Sequence, residues 1–237
     1  MKLYRVRAVL LQQLYINKRS LEIFMDLFFG SFVAVILFGY MNNFLHSVVK
    51  GPEAEYLFLG LLLWIIITVS QYAIAVNTMW NIWSRNLANL FIAPLSMGEY
   101  VVAHMASGVV VTAALFIPCA LMAWWWFGVD LTKLGFLNLA IFFLNLMIFG
   151  WTAGLIILGI VFTFGKRLQA LTWGLIWIFQ PLTAVFFPVT VLPPALQWLA
   201  YALPPTYTFE AARAALTSTA VNWQYAGIGF IENIIYF

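Results

Sequence analysis

The chain has 237 residues, 65% of them hydrophobic and 8% charged, with a formal net charge of +3. A soluble domain carries roughly 25% charged and about 45–50% apolar residues, so this composition excludes a water-facing globular surface and places most of the chain in lipid. The small, scattered charge gives no reason to expect nucleic acid. The single cysteine, Cys119 in an apolar run, supports neither an internal disulfide nor a metal site.

The first twenty residues, MKLYRVRAVLLQQLYINKRS, have no apolar core followed by a small-residue cleavage site, so they do not read as a secretory signal. Leu3, Val6, Leu10 and Leu14 recur at helical spacing among Lys2, Arg5, Arg7, Lys18 and Arg19. That pattern predicts an amphipathic helix over 1–20 lying flat in the membrane interface, with Arg5, Arg7, Lys18 and Arg19 as anchors to anionic headgroups.

A crossing helix needs about 20 apolar residues. Spans are predicted over 23–41, 56–76, 100–128, 134–164 and 168–187. The first holds Asp26 near its start, on the same helical face as Glu22, where interfacial water or Lys18 and Arg19 can reach it. The third ends on AWWWFG, Ala123 to Gly128, which reads as an aromatic belt. The fourth contains GWTAG, Gly150 to Gly154, a small-xxx-small pattern for close packing within the subunit or across a dimer seam.

The region 188–213 is uncharged up to Glu210 and is broken by Pro193, Pro194, Pro204 and Pro205. Proline pairs stop a helix. About ten residues of helix between them rise only about 15 Å, half a bilayer. This predicts a re-entrant or interfacial element, which is tolerated at membrane depth where protein or water satisfies its backbone. The segment 223–237 reads as the start of a sixth span, cut short, with Glu232 inside it as a candidate polar or gating group. The fold class expected is therefore an all-α polytopic membrane protein. It has six transmembrane helices, an N-terminal amphipathic interfacial helix, and a re-entrant element between spans five and six.

Basic residues set orientation. With the N-terminus inside, the inner segments hold Lys2, Arg5, Arg7, Lys18, Arg19, Arg85, Lys166 and Arg167, and the outer ones hold Lys50, Lys133 and Arg213. Eight against three favours a cytoplasmic N-terminus in the cytoplasmic (inner) membrane.

Chemistry-bearing motifs are few. GIVFTFGKR is not a Walker A loop: Gly159 is one residue too far from Gly165, and Arg167 stands where Ser or Thr must reach magnesium. His46 and His104 have no partners at ligand spacing, so no metal site is expected. No GxSxG nucleophile motif occurs. These readings predict no catalytic residue in the chain and no cofactor bound by it.

The segment from Met79 to Met97, MWNIWSRNLANLFIAPLSM, places Trp80, Trp83, Leu87, Leu90 and Phe91 on one helical stripe. Pro94 ends that helix, because the residue before a proline leaves the helical region. Ser96 then reads as an N-cap with Glu99 at N3, which would restart the chain into the third span. A short rigid helix on the inner face is something a partner can push.

Three stretches carry a resemblance. LANLFIAPLSMGEYVVAHM is similar to the coupling segment of permease subunits in the type-2 ABC transporter family. FFPVTVLPPALQWLAYALPPTYTFEAARAAL, Phe186 to Leu216, resembles that family's fifth-span and re-entrant region, through Pro188, Leu192-Pro193 and the exit from Leu203 to Arg213. The basic N-terminal helix is the third. The resemblance implies two permease copies, as a homodimer or pseudo-homodimer, above two ABC ATPase chains that bind the ATP and magnesium. It implies export. It further implies that Trp83, Arg85, Leu87, Leu90, Phe91, Pro94, Leu95, Ser96 and Glu99 couple to the ATPase. Pro188, Pro193, Pro194, Pro204, Pro205, Tyr207, Glu210 and Arg213 would form the outer gate.

Two other classes compete: a membrane-embedded lipid or glycosyl transferase, and a proton-coupled secondary transporter. The first needs an acidic or histidine-bearing interfacial site, and the second needs midplane charges and internal repeats. Neither is evident. The 18% aromatic content suits a hydrophobic, lipid-linked or saccharide-type substrate without choosing among them.

Overall fold

A computed structural model of the chain describes residues 1–48 and 55–237, with the backbone alone at Lys166. Lys50, used above for orientation, lies outside the described residues. Within them the chain is helical and contains no strand. The helices are α1 (Leu3–Arg19), α2 (Leu21–Val48), α3 (Tyr56–Trp83), α4 (Asn86–Ile92) and α5 (Met97–Phe127). They continue with α6 (Phe136–Phe164), α7 (Leu171–Leu182), α8 (Pro194–Tyr201), α9 (Pro204–Ala215) and α10 (Trp223–Tyr236).

Four of these, α2, α3, α5 and α6, are long and apolar enough to cross a membrane. Two further expected crossings are shorter. At 1.5 Å per residue α7 measures about 18 Å and α10 about 21 Å, against about 30 Å of hydrocarbon. Pro181 lies in the last turn of α7, and Ala184 adopts a left-handed φ of 51°, so the chain turns away there.

The centre of the bundle is α3, most of whose apolar stretch is buried by its neighbours. It runs to Trp83, past the expected end at 76, through Asn77, Thr78 and Asn81. Those residues look like an exit from the membrane. Two of the three find partners within the helix: Thr78 Oγ1 donates to the Ile74 carbonyl at 2.7 Å and Asn81 Nδ2 to the Asn77 carbonyl at 3.1 Å, while Asn77 Oδ1 is buried without a hydrogen-bond partner among the described residues. Back-bonding to the helix's own carbonyls lets polar residues persist inside a span.

α6 packs along α3 at very short range. A Cβ at Gly150 would fall 2.7 Å from the Ile67 carbonyl oxygen and from Ser70 Cβ. One at Gly154 would fall 2.9 Å from Ile74 Cβ. The small-xxx-small pattern therefore closes a seam inside this subunit. On its other side α3 meets α5, whose buried stripe includes Tyr100, His104, Ser107, Val111, Leu115 and Cys119, three and four residues apart. His104 Nδ1 donates to the Ala73 carbonyl at 3.0 Å. α5 ends at Gly128, whose left-handed φ of 70° closes the helix. Before it, Trp124, Trp125 and Trp126 are exposed.

A short polar ladder places the C-terminal helices. Asn138 Nδ2, in the first turn of α6, donates to the Thr219 carbonyl at 3.1 Å. Two turns further along, Asn145 Oδ1 accepts from Thr208 Oγ1 of α9 at 3.0 Å and from Asn233 Nδ2 of α10 at 3.1 Å.

Gly150→Leu should force α3 and α6 apart and cost about 1–3 kcal/mol. This would appear as a clear drop in the thermal midpoint of the detergent-solubilised protein. Gly159→Leu, one helix face away with open space at its Cβ position, should change the midpoint little.

Candidate functional site: the α1–α4–α5 junction and the α7–α9 loop

The loop between α3 and α5 begins with a sharp break. Arg85 takes a left-handed φ of 56° between α3 and α4. The stripe read as one helix is thus divided between two. Trp80 and Trp83 belong to α3. Trp83 stacks on Trp173 with ring centroids 5.5 Å apart, and its Nε1 donates to Gln169 Oε1 at 3.2 Å. It faces α7. Leu87, Leu90 and Phe91 belong to α4 and face the opposite way. With Leu95 they pack on Val6, Val9, Tyr100 and Ala103 of α1 and α5. Arg85 itself is exposed.

The turn into α5 forms as its spacing predicts. Ser96 Oγ accepts from the Glu99 N–H at 3.2 Å, and Glu99 Oε2 accepts from the Ser96 N–H at 3.0 Å, a full capping box. Glu99 also receives the Lys2 backbone N–H on Oε1 at 2.6 Å, and Arg5 Nη1 lies 3.6 Å from Oε2. Glu99 is 2% exposed. One carboxylate therefore joins the start of α1, the start of α5, and the loop carrying Pro94.

This alters the reading of α1. The buried positions are Val6, Val9 and Gln13, while Leu3 is 79% exposed. The packed face keeps Val6, Leu10 and Leu14 of the predicted stripe but turns from Leu3 toward Val9 and Gln13, because it is set by α5. Among the expected anchors, Arg5 turns inward to Glu99, and Arg7, Lys18 and Arg19 are exposed. An apolar groove of about 350 Å³ runs between α1 and the α4 exit, lined by Tyr4, Arg5, Leu90, Pro94 and Leu95 among others.

The second group of expected site residues is brought together around the loop Ala184–Val189. Pro188 precedes a short 3-10 turn. Pro193 is extended and places Pro194 in the first turn of α8, while Pro204 and Pro205 open α9. Proline is suited to a helix's first turn because its missing N–H is not needed there. Glu210 Oε1 accepts the Val189 N–H at 2.8 Å. Arg213, one turn on, donates from Nη1 to the Ala184 carbonyl at 2.9 Å, and its Nη2 stands 2.9 Å from Glu210 Oε1. Arg213 is 5% exposed, and its guanidinium also lies 6.0 Å from the Tyr56 ring centre. Tyr207 donates to the Tyr201 carbonyl at 2.8 Å and bridges α8 to α9.

Other groups in these regions carry no strong sequence signal. The left-handed Ala184 and the Asn145–Thr208–Asn233 node depend on long-range contact, although an asparagine in an uncharged span is itself a hint. Asp26 bonds to neither Lys18 nor Arg19 in the way its position suggested. Instead Tyr72 Oη donates to its Oδ2 at 3.1 Å, and Trp80 Nε1 donates to Tyr72 Oη at 3.3 Å. Glu232 keeps Oε2 buried without a hydrogen-bond partner among the described residues.

The geometry defines a polytopic helical membrane protein whose elaborated parts are a short helix, α4, clamped by α1 and α5, and a pinned loop among short helices. The family model of the ABC-2 type transporter matches residues 4–217, nearly the whole chain. The protein belongs to that family and is a transporter permease. No individual curated protein matches it.

Glu99→Ala should release α1 and raise amide exchange across residues 3–19 by about tenfold, since hydrogen bonds to a charged group contribute about 1.5–3 kcal/mol. The exposed Arg7→Ala should leave that exchange unchanged. Arg213→Met should speed exchange in 184–191 while leaving the α3–α6 seam protected.

Proposed function

We propose that this chain is the membrane-spanning, non-catalytic subunit of an ATP-driven exporter. Two copies assemble above two separate ABC ATPase chains, which bind the ATP and magnesium. The N-terminus faces the cytoplasm, as the Lys and Arg distribution favours, and the membrane is the cytoplasmic one. In this reading α7 is a short fifth crossing, α10 belongs to a sixth, and α8–α9 is the re-entrant pair forming the outer gate. Arg7, Lys18 and Arg19 hold anionic lipid headgroups. The cargo is hydrophobic, lipid-linked or saccharide in type.

The observation that carries the reading is the mounting of α4. This helix is too short to cross anything, yet its apolar side is clamped by α1 and α5. At its start Asn86 Nδ2 donates to Asn81 Oδ1 of α3 at 3.3 Å. A force on α4 therefore enters two central spans at once. Closure of an ATPase pair pressing on α4 would shift the spans only if ATP binds one state of the assembly better than the other, which is what coupling requires.

The test is ATP turnover of the reconstituted complex relative to the free ATPase chain. Leu90→Ser and Pro94→Ala should leave membrane insertion intact and remove the permease-dependent part of turnover. Arg85→Ala should reduce it. Turnover unchanged in all three would refute the lever.

A further inference from the structure

The largest of the described cavities, about 470 Å³, is a slot between α2, α3 and α7 that the lever does not use. Ligand pockets commonly measure about 300–1,000 Å³. On α2 its lining runs from Asp26 to Phe38, a rise of about 18 Å. It is a deep lengthwise slot with a charged end and an aromatic interior.

Asp26 is the only charged side chain that lines it; no Lys or Arg does so among the described residues. The carboxylate sits on a π-helical turn, Met25–Phe29, interrupting an otherwise α-helical span. Such turns are frequent at functional sites. Tyr72, backed by Trp80, orients Oδ2, while Oδ1 has no hydrogen-bond partner among the described residues. The walls beyond it carry Trp64, Trp173, Trp177 and Phe186. Trp64 and Trp177 stand with ring centroids 6.4 Å apart.

The polar groups along the slot discriminate among guests. Ser31 donates to the Leu27 carbonyl, Thr68 to the Trp64 and Ile65 carbonyls, and the Gln71 amide to the Thr172 carbonyl at 2.9 Å. These donors are committed within the protein. An anion would meet the Asp26 carboxylate and no cationic side chain among those lining the slot. A cation would meet an oriented carboxylate and the negative faces of several indoles. Trp64 Nε1 is buried without an acceptor, on a residue 2% exposed, and the Gln180 amide and the Trp173 and Trp177 indoles also line the slot.

We propose that this slot binds organic cations with an apolar body of aromatic size, the charge at Asp26 and the body between the tryptophans of α3 and α7. On the permease reading above, on which this step rests, such amphiphilic cations are cargo. They enter from the leaflet on the Asp26 side.

The experiment uses two probes of matched shape and opposite charge, tetraphenylphosphonium and tetraphenylborate. Saturable binding to the purified chain in nanodiscs is measured by equilibrium dialysis, with empty nanodiscs subtracted. The phosphonium should bind at least about tenfold more tightly than the borate. Asp26→Asn should remove that preference while leaving the thermal midpoint in place, since Asp26 is exposed. Trp177→Ala, also at an exposed position, should weaken phosphonium binding severalfold. Equal binding of the two ions, or a preference surviving Asp26→Asn, would overturn the proposal, as would phosphonium binding insensitive to Trp177→Ala. Because binding is read on the chain alone, it is separable from coupling. Phosphonium selectivity with a failed Leu90 and Pro94 experiment would uphold the site and remove the lever. Intact coupling without selectivity would do the reverse.

Discussion

Between two helices in lipid there is no hydrophobic drive, because the acyl chains are as apolar as the side chains they would replace. What holds helices together is close approach and the hydrogen bonds it allows. In this protein that condition is met along the seam of α3 and α6, where Gly150 and Gly154 let α6 ride on the backbone of α3 at Ile67, Ser70 and Gln71. The other placements follow from this one. With α6 occupying one face of α3 and α5 another, the remaining face borders the slot. Gly60, near the start of α3, presses against the Val185 carbonyl and so fixes the depth of the α7–α8 loop.

Polar side chains do the second part of the positioning. A buried polar group without a partner is costly, so those in the spans act as registration marks. Asn145 sets α9 and α10 at one height along α6. Arg213 and Glu210 hold the two ends of the Ala184–Val189 loop from a single turn of α9. Glu99 does the same at the other end of the bundle, taking backbone donors from Lys2 and Ser96 while Arg5 neutralises it. In each case one or two strong bonds fix a helix or loop against its neighbours.

The parts legible in the sequence are those governed by local rules. The long spans follow from apolar length, the capping box from Ser96 and Glu99, and the starts of α8 and α9 from proline pairs. The break at Arg85 was not legible, because neither glycine nor asparagine marks the left-handed residue, and the apolar spacing runs smoothly from Trp80 to Phe91 across it. The true end of α3 was hidden for a related reason. Asn77, Thr78 and Asn81 signal water when read locally, but Tyr100 and the helix's own carbonyls satisfy Thr78 and Asn81. The packed face of α1 depends on where α5 stands, which no periodicity within residues 1–20 encodes. Asp26 shows the same limit. Its nearest basic residues in sequence are not its partners, and Tyr72, forty-six positions away, is.

α3 also connects the two proposed sites, α4 and the slot. Its final turns carry Asn81, bonded to the lever helix, and Trp80, which donates to Tyr72. Tyr72 in turn orients the carboxylate at the mouth of the slot. Moving α4 against the spans must therefore disturb either the Asn81 contact or the Tyr72–Asp26 geometry, since both are carried on one rigid helix less than three turns apart. On the proposed reading, a guest held by Asp26 would favour one position of α4, the lever, over the other. By linkage, whatever favours that lever position raises affinity in the slot by the same factor. On the proposed reading the chain would need no catalytic group of its own. It would need a stiff helix with the cargo contact and the force contact on the same few turns, and a packed seam behind it that does not yield.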